Sequence, residues 1–427
     1  MTGLRRNNER RRGAAGAPAS SSAEVAVPSV DPLQAKARVV GVDAVRGIAL
    51  IGIMAVHVLP ATVHGAPSLT WLVLAGRAAA LFALLAGISI AFLSGAERRL
   101  TGRNLLAARA ALIVRALLIV VFGLLLGYME SSNLVILTYY GIMFFLAVPL
   151  IGLRTRWLLV TALVSTIVCP VLMQVVRYRD DLQQVQVPDY TFGGVLAHPG
   201  RFIEDMLLTG GYPALPWMAY ICVGMAVGRL PRLMSRRAAL MLLLGGGVLA
   251  VTGWAISAVL LGPGGGFDQL VRSTPGSNER EVADILVFGP DPALPTTTWW
   301  WLAILAPYST TPLHILHTLG TALAIVGSGL LAAKYARPLL LPLSLMGTMT
   351  LTLYSAHIVI EAVDLLDGYR SVVSLAIQVG LFIGFAVLWR RSVGKGPLEG
   401  LVAFVTGWVR KRLAPSASTR VPAERWI

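Results

Sequence analysis

Runs of about twenty apolar residues, parted by short polar breaks rich in arginine, recur along the chain from residue 44 to residue 389. A helix rises 1.5 Å per residue, so each run is long enough to cross a hydrocarbon core of roughly 30 Å. The pattern predicts spanning helices near 44–60, 69–93, 107–128, 133–152, 157–176, 212–229, 238–261, 311–333, 339–362 and 371–389. The fold class that follows is an all-α integral membrane protein of about ten transmembrane helices. Within Trp299–Pro307, three consecutive tryptophans predict an interfacial aromatic belt, with a short re-entrant piece as the alternative.

Composition agrees with the pattern. Of 427 residues, 56% are hydrophobic and 13% charged, and the mean hydropathy is +0.71, which excludes a soluble domain of this size. Residues 1–37, rich in Arg, Ala, Ser and Pro without an apolar period, are expected to form a disordered basic arm. Residues 38–412 form the polytopic domain and 413–427 a flexible tail, and no cleavable signal peptide is expected after so arginine-rich a leader.

Charge sets the orientation. With a cytoplasmic N-terminus, the arm, the cytoplasmic loops and the helix ends beside them carry 29 basic residues and the outside loops six, with Arg77 between them. That asymmetry predicts both termini inside. The net charge of +15 then belongs to one membrane face and suits an anionic leaflet, with no nucleic acid needed. The expected address is a bacterial cytoplasmic membrane. Four lysines against 32 arginines suggest a GC-rich genome and an actinobacterial envelope. Cys169 and Cys222 stand alone in apolar helices as inert thiols, and no metal, phosphate-loop or nucleophile-elbow motif is present.

Candidate chemistry lies on one side. His57, His64, His198, His314, His317 and His357 all map to the outer half of the membrane or to outside loops, which predicts a proton-handling site there. In the first helix, VGVDAVRGIALIGIMAVH, Arg46 and His57 are eleven residues apart, on one face and about 16 Å apart along the axis. Asp43 can support Arg46 from one turn away. The same three residues would also serve as a headgroup anchor. Arg77, some eight residues into the second helix, is costly there unless paired. It is expected to face the bundle, with Glu130, the Ser131–Ser132–Asn133 turn or Glu361 as partner, or else to snorkel to the outer headgroups.

The runs RGIALIGIMAVH from Arg46, GYPALPWMAYICVGMAVGR from Gly211, LSLMGTMTLTLYSAH ending at His357 and KGPLEGL from Lys395 together resemble the YeiB-like bacterial membrane family, known as domain of unknown function 418. That family is distantly similar to heparan-α-glucosaminide N-acetyltransferase and the transmembrane acyltransferases. The resemblance covers about residues 38–412. It implies that acetyl-CoA enters from the cytosol and that the acetyl group reaches an amine or hydroxyl of an extracytoplasmic glycan or glycolipid. It also implies a role for polar residues at the outer end of the first helix and a histidine just after it, positions that match His57 and His64. This chain departs in having a shorter first outside loop and in carrying His57 where the acetyltransferase has asparagine, so either histidine can be the base.

The reading of the residues fits that implication. Arg46 and Arg115, with Arg109 behind them and Asp43 beside Arg46, are candidates to hold the CoA phosphates. An outer imidazole would deprotonate the acceptor, and Arg77 or the amide of Asn133 would stabilise the oxyanion, with no metal required. Membrane lipid and the CoA thioester are the expected partners, and a homodimer is compatible with this layout. The alternative is a transporter or flippase for a small solute or lipid precursor, with the same groups relaying protons.

Overall fold

The computed structural model of the protein describes residues 32–96, 100–129, 134–180, 189–291, 293–366 and 368–413, with the backbone alone for 32–39 and 179–180. Helix α1 (Pro32–Val58) begins inside the stretch expected as an arm and leads to an antiparallel hairpin of β1 (Thr62–Val63) and β2 (Ala66–Pro67). The next span is interrupted: Ser68 caps α2 (Leu69–Leu74), Gly76 turns the chain at φ +72°, and α3 (Arg77–Leu93) follows. Helix α4 (Gly102–Leu126) precedes α5 (Leu137–Ala147), which ends in a 3-10 turn at Pro149–Gly152 before α6 (Thr155–Asp180).

Helices α7 (Phe192–Ala197) and α8 (Pro199–Glu204) then run through a π-turn at Asp205–Thr209 into α9 (Ala214–Gly228). Helix α10 (Arg236–Leu261) is followed by α11 (Gly266–Ser273), α12 (Glu279–Phe288) and a 3-10 turn at Trp299–Ala303. The chain closes with α13 (Pro312–Tyr335), α14 (Arg337–Gly347), α15 (Thr350–Ala362), α16 (Ser371–Ser392) and α17 (Pro397–Leu413).

Among the described residues seven stretches are long and apolar enough to cross a membrane, and two bent pairs, each taken as one span, raise the number to nine. The chain is therefore a multi-pass membrane protein. The expected runs, about ten in number, are interrupted at two kinds of place. The run near 133–152 yields only the eleven-residue α5 and its 3-10 turn, because Pro149 cannot continue the hydrogen-bond ladder. The run near 339–362 is bent by 68° between α14 and α15, and the π-turn meets α9 at 50°.

Burial separates centre from rim. The apolar window of α1 is 72% buried, against 22% for α16 and 28% for α10, so α1 stands in the middle and the other two offer broad faces to lipid. Without a hydrophobic drive between helices in lipid, small residues decide how closely backbones approach. Gly87 on α3 and Gly224 on α9 meet so closely that a Cβ on either would overlap a carbonyl oxygen of the other helix, Ile221 or Leu84.

Residues 262–308 fold into a cap on a second apolar cluster of Leu270, Val282, Leu294, Trp301, Ile304 and Ala306. Trp301 is fully buried and donates its indole N–H to Thr297 Oγ1 at 3.2 Å, Trp300 packs against the same cluster, and only Trp299 is exposed. The aromatic-belt reading of this stretch is thus corrected: two of its tryptophans are the core of the cap. The indole of Trp71 on α2 ties the cap to the bundle through Val287 O at 3.1 Å.

Candidate active site

Helix α1 carries polar groups at two levels. At its C-terminal end, His57 Nδ1 lies 3.1 Å from His357 Nε2 on α15. His357 Nδ1 lies 2.8 Å from Gln378 Oε1 on α16, and Gln378 Nε2 donates to Glu361 Oε1 at 2.8 Å. His357 and Gln378 are fully buried, while Glu361 keeps 19% of its side-chain exposure. Three helices, α1, α15 and α16, thus bring four polar groups into one line inside an apolar bundle. Burying an amide there is affordable because both its ends are bonded.

His57 also borders a narrow cavity with room for about one water, a free volume of roughly 10 Å³, walled by Ala78 of α3, Ile136 before α5, and Tyr212, Tyr308 and Tyr354. Tyr354 holds that wall in place by accepting the Ile136 N–H at 3.2 Å.

Arg77 does turn to protein, through partners other than those expected. Its NH1 donates to Leu72 O at 2.8 Å, and its Nε and NH2 reach His317 Nε2 at 3.4 and 3.2 Å. His317 Nδ1 bonds Ala250 O at 2.9 Å, so that nitrogen carries the hydrogen and Nε2 is free to accept from the guanidinium. Glu130, Ser131, Ser132 and Asn133 lie outside the described residues, and Glu361 is engaged by Gln378. One turn before His317, His314 is 2% exposed and neither ring nitrogen has a hydrogen-bond partner among the described residues.

His64 occupies the tip of the β1–β2 hairpin, exposed and at φ +52° beside Gly65 at +77°. The structure does not bring it into the His57–His357 line, and His198 is likewise exposed between α7 and α8. Outside the spans, Asp189 accepts the Val135 N–H at 2.8 Å, and its burial raises its pKa above the ordinary carboxylate value. A further carboxylate, Asp205, is fully buried and internally satisfied by Tyr190 Oη at 2.6 Å, Arg201 Nε at 3.0 Å and Thr209 Oγ1 at 2.6 Å.

Eleven residues earlier on α1, Asp43 and Arg46 form an ion pair, and Arg46 NH2 also donates to Ser89 Oγ at 2.5 Å. Arg115 on α4 sits 5.8 Å from the Phe144 ring centroid, its buried Nε has no hydrogen-bond partner among the described residues, and it feels the charges of Arg46 and Glu399. Arg109 donates to Pro149 O at 3.2 Å. Arg46 is thus largely occupied by Asp43 and Ser89, while Arg115 retains an unused donor. Among the described residues no group of three or more His, Cys, Asp or Glu side chains is placed to hold a metal ion.

The GPLE run explains itself here. Glu399 Oε1 accepts the backbone N–H groups of Leu351 and Thr352 at 2.7 and 3.1 Å, and Oε2 accepts Thr352 Oγ1 at 2.6 Å. Thr352 Oγ1 in turn accepts the Leu398 N–H at 3.1 Å. A carboxylate from α17 therefore caps the N-terminus of α15, the helix that carries His357 and Glu361. A Cβ at Gly396 would overlap the Glu399 carboxylate in this position and displace it from the α15 N–H groups.

Neither Gln378 nor Glu399 was assigned a role from the sequence. Their signals were present: a lone amide in an apolar span, and an acid two residues after proline at a helix start. A family model described as heparan-alpha-glucosaminide N-acetyltransferase, catalytic, matches residues 38–255. That stretch contains Asp43, Arg46, His57, His64, Arg77 and Arg115, whereas His357, Glu361, Gln378 and Glu399 lie beyond it. No curated protein and no solved structure matches the chain.

Proposed function

Because the chain belongs to the heparan-alpha-glucosaminide N-acetyltransferase catalytic family, whose model covers just over half of it, we propose that it transfers an acetyl group from cytosolic acetyl-CoA to an amine or hydroxyl of an extracytoplasmic glycan or glycolipid. The observation that carries this reading is the construction of α1. One helix joins a cationic cluster at Arg46 and Arg115 to an imidazole, His57, at the cavity wall eleven residues on, about 16 Å along the axis.

Arg115, with its unused Nε–H, and Arg46, steadied by Asp43, bind the CoA phosphates. That leaves the thioester directed along α1 toward His57. His57 removes a proton from the acceptor as its nitrogen or oxygen attacks the thioester carbon; the new C–N or C–O bond forms, the C–S bond breaks, and the proton passes to the CoA sulfur. Arg77 supplies positive charge to the oxyanion. His64 is the second candidate for the base.

We further propose ten crossings, both termini in the cytoplasm, and residence in a bacterial cytoplasmic membrane. The short α5 segment supports the even count. Leu134 and Ile136 before it line the cavity beside His57, while the carbonyls of Ile151 and Leu153 after it accept from Arg229 at the far end of α9, at 2.7 and 2.6 Å. The 29-to-six split of basic residues supports the orientation.

A transporter or flippase is the alternative, favoured by the two bent helix pairs, since discontinuous helices build binding sites in transporters. Proteoliposomes loaded outside with labelled acetyl-CoA and inside with glucosamine separate the two. Label appearing on the amino sugar supports the acyltransferase. Passage of glucosamine across the bilayer without label transfer overturns it.

A further inference from the structure

The polar line that begins at His57 has a direction. Glu361, when ionised, can only accept, so it takes the amide N–H of Gln378 and leaves Gln378 Oε1 to face His357. Reversing that amide would set its oxygen against the carboxylate. His357 Nδ1 therefore carries a hydrogen and donates to Gln378, and in the neutral ring His357 Nε2 is a lone pair. The 3.1 Å contact then requires His57 Nδ1 to be the donor. A neutral imidazole has one N–H, so His57 Nε2 is left bare, on a ring that borders the cavity.

We propose that Glu361, Gln378 and His357 are positioning residues that lock His57 in the tautomer whose Nε2 is the free base, and that the two stacked imidazoles together store the acceptor's proton during transfer. This rests on the acyltransferase reading above. When His57 Nε2 takes the proton, the hydrogen on His57 Nδ1 can move across the 3.1 Å bond to His357 Nε2. The charge is then on His357, whose Nδ1 is bonded to Gln378 and lies 4.0 Å from Glu361 Oε1. The amide of Gln378 does not hand a proton on, so the line ends there and holds the proton within the pair. It returns by the same path to the departing CoA sulfur. Acceptor amine and acetyl thioester become amide and free thiol, with no proton gained or lost overall.

The lock can be read without turnover. In the full chain in lipid nanodiscs with ¹⁵N-labelled histidine, assigned by single histidine substitutions, His57 should show a protonated Nδ1 and an unprotonated Nε2. Gln378→Leu should convert it to a mixture of tautomers. The double swap Gln378→Glu with Glu361→Gln, which keeps an acceptor toward His357 and a donor behind it, should restore the single form. A hydrogen on His57 Nε2 in the unaltered protein, or no change in Gln378→Leu, overturns the lock.

Turnover tests the positioning role separately. With labelled acetyl-CoA and glucosamine, Gln378→Leu should lower kcat at least about tenfold while leaving KM for acetyl-CoA unchanged, because a wrong tautomer harms the chemical step and not the binding of the donor. In His57→Ala protein rescued by added imidazole, the same substitution should cost nothing further. A rise in KM with kcat intact, or an equal loss in the rescued protein, would assign Gln378 a merely structural role. Absence of transfer by the unaltered protein, with the tautomer as expected, would overturn the acyltransferase reading and leave the lock standing.

Discussion

His57 on α1 and His357 on α15, 300 residues apart in the chain, stack with ring centroids 5.2 Å apart and planes within 19°, and share a 3.1 Å contact between Nδ1 and Nε2. The contact gives the end of α1 a partner for the base proposed there.

His57→Ala should therefore abolish transfer while sparing the fold. Alanine keeps helix propensity, and the loss is one hydrogen bond and a ring contact, about 1–2 kcal/mol. Loss of the base should slow acetyl transfer by roughly 10²–10⁴-fold, with CoA-induced thermal stabilisation intact. His64→Ala, at an exposed hairpin tip, is the control. If His64→Ala alone is inactive, the base is His64.

At the other level of α1, Arg115 is the donor with spare capacity and Arg46 the one already engaged. Saturating CoA should raise the melting temperature of the detergent-solubilised protein by mass action. Arg115→Ala should reduce that shift more than Arg46→Ala does. The opposite order would mean that Asp43 and Ser89 release Arg46 on binding.

Glu399 offers a test of the clip between α17 and α15. Glu399→Ala leaves the N–H groups of Leu351 and Thr352 and a threonine hydroxyl without their acceptor, which should cost about 2–3 kcal/mol. Hydrogen exchange at 351–352 should accelerate. The loss of activity should exceed what the lower melting temperature explains, because α15 carries His357.

Much of this was legible in the sequence, and the gaps have physical causes. Hydropathy located α4, α6, α9, α10, α13 and α16 closely, since a long apolar run has few other uses, but it missed the start of α1, which lies in the polar arm. It could not see that Gly76 would part α2 from α3 or that α14 and α15 would bend, because a break inside an apolar run leaves mean hydropathy unchanged. Helical periodicity placed Arg46 and His57 on one face, yet the partner of His57 lay 300 residues on, where no local spacing points. Arg77 was expected to need a partner among Glu130, the Ser131–Ser132–Asn133 turn and Glu361; it bonds Leu72 O and His317, because a guanidinium also bonds carbonyls and lone pairs on nitrogen, for which no local spacing gives a sign.

The α3–α9 crossing supplies a stability test with an internal control. Gly224→Ala would drive a Cβ into Leu84 O, so the helices must part, at a cost of about 1–3 kcal/mol. Gly245→Ala on the exposed face of α10 meets nothing within 4 Å and should be neutral or stabilising by up to about 1 kcal/mol. Thermal melts in one detergent compare them directly, and equal effects would show that the crossing tolerates separation.

The last prediction concerns sidedness, on which the direction of transfer depends. In protein whose own Cys169 and Cys222 are replaced by serine, Leu196→Cys on α7 and Arg103→Cys at the start of α4 probe opposite faces. Leu196 is 83% exposed and Arg103 is exposed, so neither reports burial in place of topology. The basic-residue asymmetry puts Arg103 in the cytoplasm and α7 outside. An impermeant thiol reagent applied to intact cells should label Leu196→Cys alone, and lysis should make Arg103→Cys reactive. The reverse labelling would put the His57–His357 pair on the cytoplasmic side. His57 would then face the compartment that holds acetyl-CoA, and acetyl transfer across the bilayer would lose its geometric basis.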